Sequence, residues 1–193
     1  MPPKVKFTKE EIIQAALDLV RKQGAEALTT RALGKRLGTS ARPIFTAFEN
    51  VEELQEEVKR AAKEVYAEYV KKGLEIKPAF KGVAKQYILF AKQEPKLFRL
   101  LFMSETMLGN TQEYNPLIAD NYKTVFAAFK ETYSLSEEET KKIYIHIGIY
   151  IHGLAALYAE RMCQFPIEYI DQLLDEVDLS LLKQIKGHNP NTT

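Results

Sequence analysis

Residues 28–48 read Leu-Thr-Thr-Arg-Ala-Leu-Gly-Lys-Arg-Leu-Gly-Thr-Ser-Ala-Arg-Pro-Ile-Phe-Thr-Ala-Phe. Thr29 stands where a hydroxyl can cap a short helix, Thr30 to Leu37, because its oxygen accepts from the free N–H groups of a first turn. Gly38 with Thr39 predicts a tight turn, and Ser40 is placed to cap a third short helix that ends near Phe48. Pro43 falls in that helix's first turn, where its missing N–H costs nothing. Two short helices about a glycine turn read as a helix-turn-helix.

Outward from this stretch the punctuation stays helical. Thr8 with Glu11 and Ser136 with Glu139 have the spacing of capping boxes, and Asn50 with Glu53 is a looser match. A first helix over 9–23 carries Ile12, Ile13, Ala16, Leu17 and Val20 on one face and stops at Gly24. A long helix after Asn50 carries Leu54, Val58, Ala61, Val65 and Tyr69, and would connect head to body as a lever. Prolines 78, 95, 116 and 166 precede further runs, predicting helices near 78–93, 95–107, 116–133, 137–163 and 166–186. The expected class is all-α. It divides into a three-helix helix-turn-helix head over 1–48, a connecting helix over 49–73, a helical ligand-binding and dimerisation domain over 74–187, and a polar tail over 188–193.

One segment conflicts with this reading. Ile143 to His152 alternates Ile-Tyr-Ile-His-Ile-Gly-Ile-Tyr-Ile-His, a β-branched pattern that in isolation suits a strand. The Ser136 box and the continuation Gly-Leu-Ala-Ala-Leu-Tyr-Ala favour a helix. A helix apolar all round must be enclosed all round, and a second subunit is the expected cover for one side, with Gly148, His152, Gly153 and Ala156 at the contact.

Composition narrows the function. With 46% hydrophobic and 27% charged residues in 193, the chain is a folded globular protein. One cysteine, Cys163, and an N-terminus without an apolar leader place the expected site of action in the cytoplasm. The most apolar window, 143–159, is short for a bilayer span and holds two histidines, so no membrane partner is expected. Net charge is +1, but it is unevenly spread: residues 1–48 hold nine Lys/Arg against four acids, a net of +5, which leaves −4 for the rest. A basic head suggests an anionic partner. His146 and His152 lie six apart, on different helical faces, so no metal site or cofactor is expected. The sequence also lacks a phosphate loop, a nucleophile elbow and a zinc-protease motif, and an enzyme is not expected.

The ordered string Ala15 to Gly24, Leu28 to Ser40, Pro43 to Phe48 and Glu52-Glu53-Leu54 resembles the head of the TetR family of one-component transcriptional regulators. The resemblance covers about a quarter of the chain. It implies a homodimer that binds double-stranded operator DNA with two heads and lets go when a small-molecule effector enters the body. Under it, Thr39, Ser40, Ala41, Arg42 and Pro43 open the helix that enters the major groove. Arg42 is the side chain able to contact guanine through two hydrogen bonds. Thr29, Thr30 and Arg31 would meet phosphate at the start of the preceding helix, and Lys4, Lys6 and Lys9 would add a basic arm. Lys35 and Arg36 read as a solvated face, and Leu33, Leu37, Ile44 and Phe48 as the core of the head. Family members commonly carry tyrosine where Phe45 stands and lysine near Val51, so Phe45 packs on the DNA backbone without donating and the phosphate contacts are fewer.

Of the 20 Phe and Tyr residues, 17 lie after residue 60. Aromatic rings drawn from several helices suit both a core and an apolar pocket. The pocket candidates are Tyr87, Phe90, Phe98, Phe102, Met103, Met107, Tyr122, Phe126 and Tyr150, for an apolar or amphipathic effector. The expected function is therefore a repressor released by its ligand. An activator with the same head, and a ligand-binding helical protein with little DNA affinity, are the alternatives.

Overall fold

A computed structural model describes residues 7–103 and 122–187. Its described residues form α1 (Lys9–Gln23), a single 3-10 turn (Ala25–Ala27), α2 (Thr30–Arg36), α3 (Arg42–Ala47), α4 (Val51–Leu74), α5 (Ala79–Gln93), α6 (Pro95–Phe102), α7 (Tyr122–Tyr133), α8 (Glu137–Ala159) and α9 (Ile167–Gly187). The fold is all-α, with no strand among the described residues. The tail over 188–193 lies outside them.

The chain packs as two units. The first unit takes the described residues up to Ala67 together with those from Glu94 to Met103. α6 belongs here because it packs on α1, and Arg21 Nε donates to Glu94 Oε2 at 2.9 Å just before it. α1 begins in a closed capping box: Thr8 Oγ1 accepts from the Glu11 N–H at 3.1 Å, and the Thr8 N–H donates back to Glu11 Oε2 at 2.8 Å. Asn50 Oδ1 caps α4 by accepting from the Glu53 N–H at 2.7 Å. The Glu53 carboxylate returns to the Glu49 N–H rather than to Asn50, so this box is not closed. Ile12, Ala16, Val20, Leu33, Ile44, Leu54, Val58 and Leu97 make the core of this unit.

The second unit holds the end of α4 from Glu68, then α5, α7, α8 and α9. A close crossing joins α4 and α5: a Cβ on Gly82 would lie 2.1 Å from the Gly73 carbonyl oxygen, and one on Gly73 would lie 2.7 Å from Val83 Cα. Only glycine fits at both places. Lys81 and Lys85 of α5 reach α9 and pair with Asp175 and Asp171.

The alternating segment 143–152 is helical, within α8. Ser136 Oγ accepts from the Glu139 N–H at 3.2 Å and the Ser136 N–H donates to Glu139 Oε2 at 2.8 Å, so a closed capping box sets the helix going. Alternation of β-branched residues is a weak preference that packing overrides. The helix buries Ile143, Tyr144, Ile147, Ile151, Leu154 and Tyr158. Ile145, Ile149 and Leu157 stay exposed.

Candidate nucleic-acid interface and body cavity

The turn between α2 and α3 is built by local hydrogen bonds. The Gly38 N–H donates to the Lys35 carbonyl at 3.2 Å and the Thr39 N–H to the Gly34 carbonyl at 2.9 Å, the paired pattern that closes a helix through a left-handed residue. Gly38 supplies that residue, at φ 64°. A Cβ on Gly34 would lie 3.0 Å from the Thr39 carbonyl oxygen, so the turn folds tightly back on α2. Thr29 Oγ1 accepts from the Ala32 N–H at 3.1 Å and is the N-cap of α2.

Ser40 departs from expectation. α3 starts at Arg42 with Ala41 as its N-cap and no side-chain cap bond, while Ser40 Oγ accepts only a long contact from the Arg42 N–H at 3.4 Å. The turn consumes one more residue than the sequence reading allowed, which moves the helix start past Ser40. The hydroxyl is left at the surface instead of being fully engaged in a cap.

Thr29, Arg31, Ser40, Arg42 and Phe45 are exposed, and Thr30, Thr39, Ala41 and Pro43 half-buried. Phe45 is 55% exposed. Leu33, Ile44 and Phe48 are buried beneath them, and Leu37 is half-buried. Thr46 Oγ1 donates to the Arg42 carbonyl at 3.0 Å, so that hydroxyl is engaged within the helix.

Ion pairs reduce the apparent basic charge of the head. Arg36 is exposed, as expected of a solvated face, but its Nη2 meets Asp18 Oδ2 at 2.6 Å. Arg21 pairs with Glu94 at 2.9 Å and approaches Asp18 at 3.8 Å. Lys9 Nζ lies 2.7 Å from Glu53 and 3.7 Å from Glu57, and over the Phe48 ring. Its hydrogen bond to Glu53 raises its pKa and lowers that of Glu53. Lys9 is thus a strut between α1 and α4 rather than part of an arm. Lys4 and Lys6 lie outside the described residues. Among the described residues of the head, Lys22, Arg31, Lys35 and Arg42 carry no ion pair. Three of these four cations stand on or at the start of α2 and α3.

This geometry is a helix-turn-helix with an exposed second helix and unpaired cations beside it. Residues 12–58 match the family model described as bacterial regulatory proteins, tetR family. The chain carries a TetR-family head. That head is the DNA-binding part of a transcriptional regulator, and α1 to the first turns of α4 are the matched region. No curated protein matches the chain. Among the described residues of this chain no helix is long and apolar enough to cross a membrane, and no three or more His, Cys, Asp or Glu gather into a group that could hold a metal ion.

In the second unit a narrow cavity of about 30 Å³, room for about two waters, lies between α5, α7, α8 and α9. Phe80, Phe129, Tyr144, Ile151, Leu174 and Asp178 are among its walls. Among the described residues, its walls do not include Tyr87, Phe90, Phe98, Phe102, Met103, Phe126 or Tyr150. Tyr87 is buried, with its hydroxyl sharing a 2.9 Å hydrogen bond with His152 Nδ1, and burial lowers the His152 pKa. Phe90 packs edge-on to Tyr69. Phe98 and Phe102 lie in the first unit, Phe102 against Tyr66, and Met103 is exposed. Phe126 rests beside Tyr144 and Tyr150 is half-buried. Met107 and the side chain of Tyr122 lie outside the described residues. Aromatic content was the guide to these candidates, and it carries no information about which helical face is turned inward.

Asp178 was the missed residue. It is 4% exposed, at the third position of the α9 core stripe Ile170, Leu174, Asp178 and Leu182. Burial pushes its carboxyl up to about 6, against the Lys81 charge and a hydrogen bond from Tyr133 that favour ionisation. Tyr133 Oη donates to Asp178 Oδ2 at 3.3 Å. Burial, and then the Asp178 charge, push the Tyr133 hydroxyl upward in turn. An acid at a core position of an otherwise apolar stripe is a signal the sequence does contain.

On the expected subunit contact, Gly153 is exposed with open space around its Cβ direction. His152 and Ala156 are half-buried, and Gly148 is buried. Gly148 sits five residues before Gly153, on a different face. Ile145, Ile149, Gly153 and Leu157 instead form the exposed row, four residues apart.

Proposed function

We propose that this TetR-family protein is a homodimeric repressor, acting in the cytoplasm, that leaves its operator when a small apolar or amphipathic effector enters the body. The observation that carries the DNA side is the placement of Arg31, Lys35 and Arg42, exposed and free of ion pairs among the described residues, around a helix whose first turn is open to a groove. Arg42 reads guanine, and Ser40, Ala41, Pro43 and Phe45 contact the neighbouring backbone and base edges. Thr29, Thr30, Arg31 and Thr39 meet phosphate. The apolar row Ile145, Ile149 and Leu157 supports the dimer, because an exposed row of large aliphatic side chains on one helix face is uncommon on a protein that stays monomeric. A dimer reads two half-sites about 34–36 Å apart, and an effector that prefers another spacing lowers affinity by its differential binding to the two states.

The test is selection of bound fragments from random duplex DNA by the full-length protein, followed by the salt dependence of the best fragment. A two-fold symmetric site with steeply salt-dependent affinity is expected, since each neutralised phosphate releases counterions. Arg42→Ala should weaken the selected site about 5- to 150-fold, the equivalent of roughly 1–3 kcal/mol, and relax preference at one base pair per half-site. Arg36→Ala should leave the salt slope unchanged, because Asp18 already neutralises that guanidinium. No enrichment at any salt would overturn the reading.

A further inference from the structure

The second unit contains one cavity whose chemistry differs from an ordinary core void. Its walls are apolar or aromatic except for two charged residues, Asp178 of α9 and Lys81 of α5. Phe80, Phe129 and Tyr133 form a ring cluster at this place: Phe80 lies 4.6 Å from Phe129 and 5.5 Å from Tyr133, centre to centre, and Phe129 lies 4.9 Å from Tyr133. The Lys81 ammonium is paired with Asp175. One lysine therefore faces two carboxylates, and the surplus negative charge rests on Asp178, which is nine-tenths and more buried. The one hydrogen bond to its carboxylate among the described residues is the long one from Tyr133. A carboxylate has room for about four acceptor contacts, and leaving most of them unmade at a buried position is costly.

We infer that this cavity is the effector site and that its ligand is an organic cation, an ammonium group at Asp178 with an apolar or aromatic body among Phe80, Phe129 and Tyr144. The inference rests on the proposed function for the word effector, but the binding itself does not require DNA. An ammonium supplies the donors that the carboxylate lacks, and the faces of nearby rings attract a cation. A neutral or anionic apolar molecule of the same shape would leave Asp178 unsatisfied. The void is small, so it accepts the ammonium end and the rest of the ligand enters as the helices around it part. Occupancy then selects an opened arrangement of α5, α7, α8 and α9.

The experiment measures binding of 2-phenylethylamine, 2-phenylethanol and 3-phenylpropionate to the full-length protein by calorimetry at pH 7.5, without DNA. The amine is expected to bind at least tenfold more tightly than the alcohol or the acid. Asp178→Asn should remove that preference, with circular dichroism confirming its fold. Asp171→Asn, which deletes the same charge from the same helix at the Lys85 pair outside the cavity, should keep amine affinity within twofold. Wild-type protein supplies a readout that needs no substitution: amine affinity should fall as pH drops below 6, where Asp178 takes up its proton. Lys81, Tyr133, Tyr144 and Asp175 are the titratable groups that surround Asp178 among the described residues. Equal binding of alcohol and amine, no amine binding at millimolar concentration, or unchanged amine affinity in Asp178→Asn would each overturn the inference. The DNA-binding reading would stand in all three cases.

Discussion

α3 and α8 are both helices, yet they present opposite problems to the solvent. α3 has six residues and buries only Ile44 among them, leaving Arg42, Phe45 and Thr46 outside. α8 has 23 residues, buries ten, and still leaves Ile145, Ile149 and Leu157 exposed. The short helix is held by one anchor and a tight turn, so its outward side chains are free to meet a partner. The long helix is held by packing on its inner face, and its outward side chains are of the type that normally seeks cover. In the head, function sits on polar groups the fold does not use. In the body, the proposed effector role rests on how apolar surfaces are closed and on Asp178, an acid buried among the described residues.

If that contrast is right, the largest effects should come from the body's packing. Gly82→Ala sets a Cβ against the Gly73 backbone at 2.1 Å, where neither helix can give without moving the α4–α5 crossing. A loss of about 3 kcal/mol or more is expected, seen as a fall in Tm of about 6–12 °C. The matching change in the head, Gly34→Ala, meets Thr39 oxygen at 3.0 Å and should cost clearly less. Similar losses from the two would erase the difference between them.

Asp178 sharpens the comparison at intermediate size. Its carboxyl is raised from 3.8 to about 6 in the folded protein, so the native state holds the proton more tightly than the unfolded chain. The sign follows: stability falls as pH rises from about 4 to about 6 and levels off above that, by up to about 3 kcal/mol. Asp178→Asn removes the penalty. Urea unfolding across pH 4 to 8 should show the variant gaining on the wild type through that window and holding its advantage above it. A difference that stays flat with pH would mean the carboxylate is better solvated than its burial indicates.

The smallest effects belong to single caps in the head. Thr29→Ala removes the bond to the Ala32 N–H and should cost about 1 kcal/mol, while Ser40→Ala, with only a 3.4 Å contact to lose, should stay within about 0.5 kcal/mol. Equal losses in thermal melts would restore Ser40 as a true cap.

Most of the helix boundaries were legible because they are set by neighbours in sequence. The capping boxes at Thr8 and Ser136 and the stop at Gly24 involve partners within four residues, and the glycine turn from Gly34 to Thr39 closes over five. The start of α3 lies one residue later than the sequence predicts, because a serine before a helix looks the same whether it caps or merely precedes. Arg36 and Lys9 read as free cations because their partners, Asp18 and Glu53, are 18 and 44 residues away.

The sequence by itself determined an all-α chain, the helix-turn-helix and the residues that face outward from it, since 3.6-residue periodicity and local capping are short-range physics. It also determined that 143–152 would be helical, through the Ser136 box at the start of α8. Only the tertiary structure decided which face of α8 is covered, which head cations are already neutralised, and that α6 packs with the head. It alone put Asp178 beside Phe80, Phe129 and Tyr133. Those outcomes depend on contacts between residues tens of positions apart, where burial and charge pairing are shared among several helices and no local pattern records the partner.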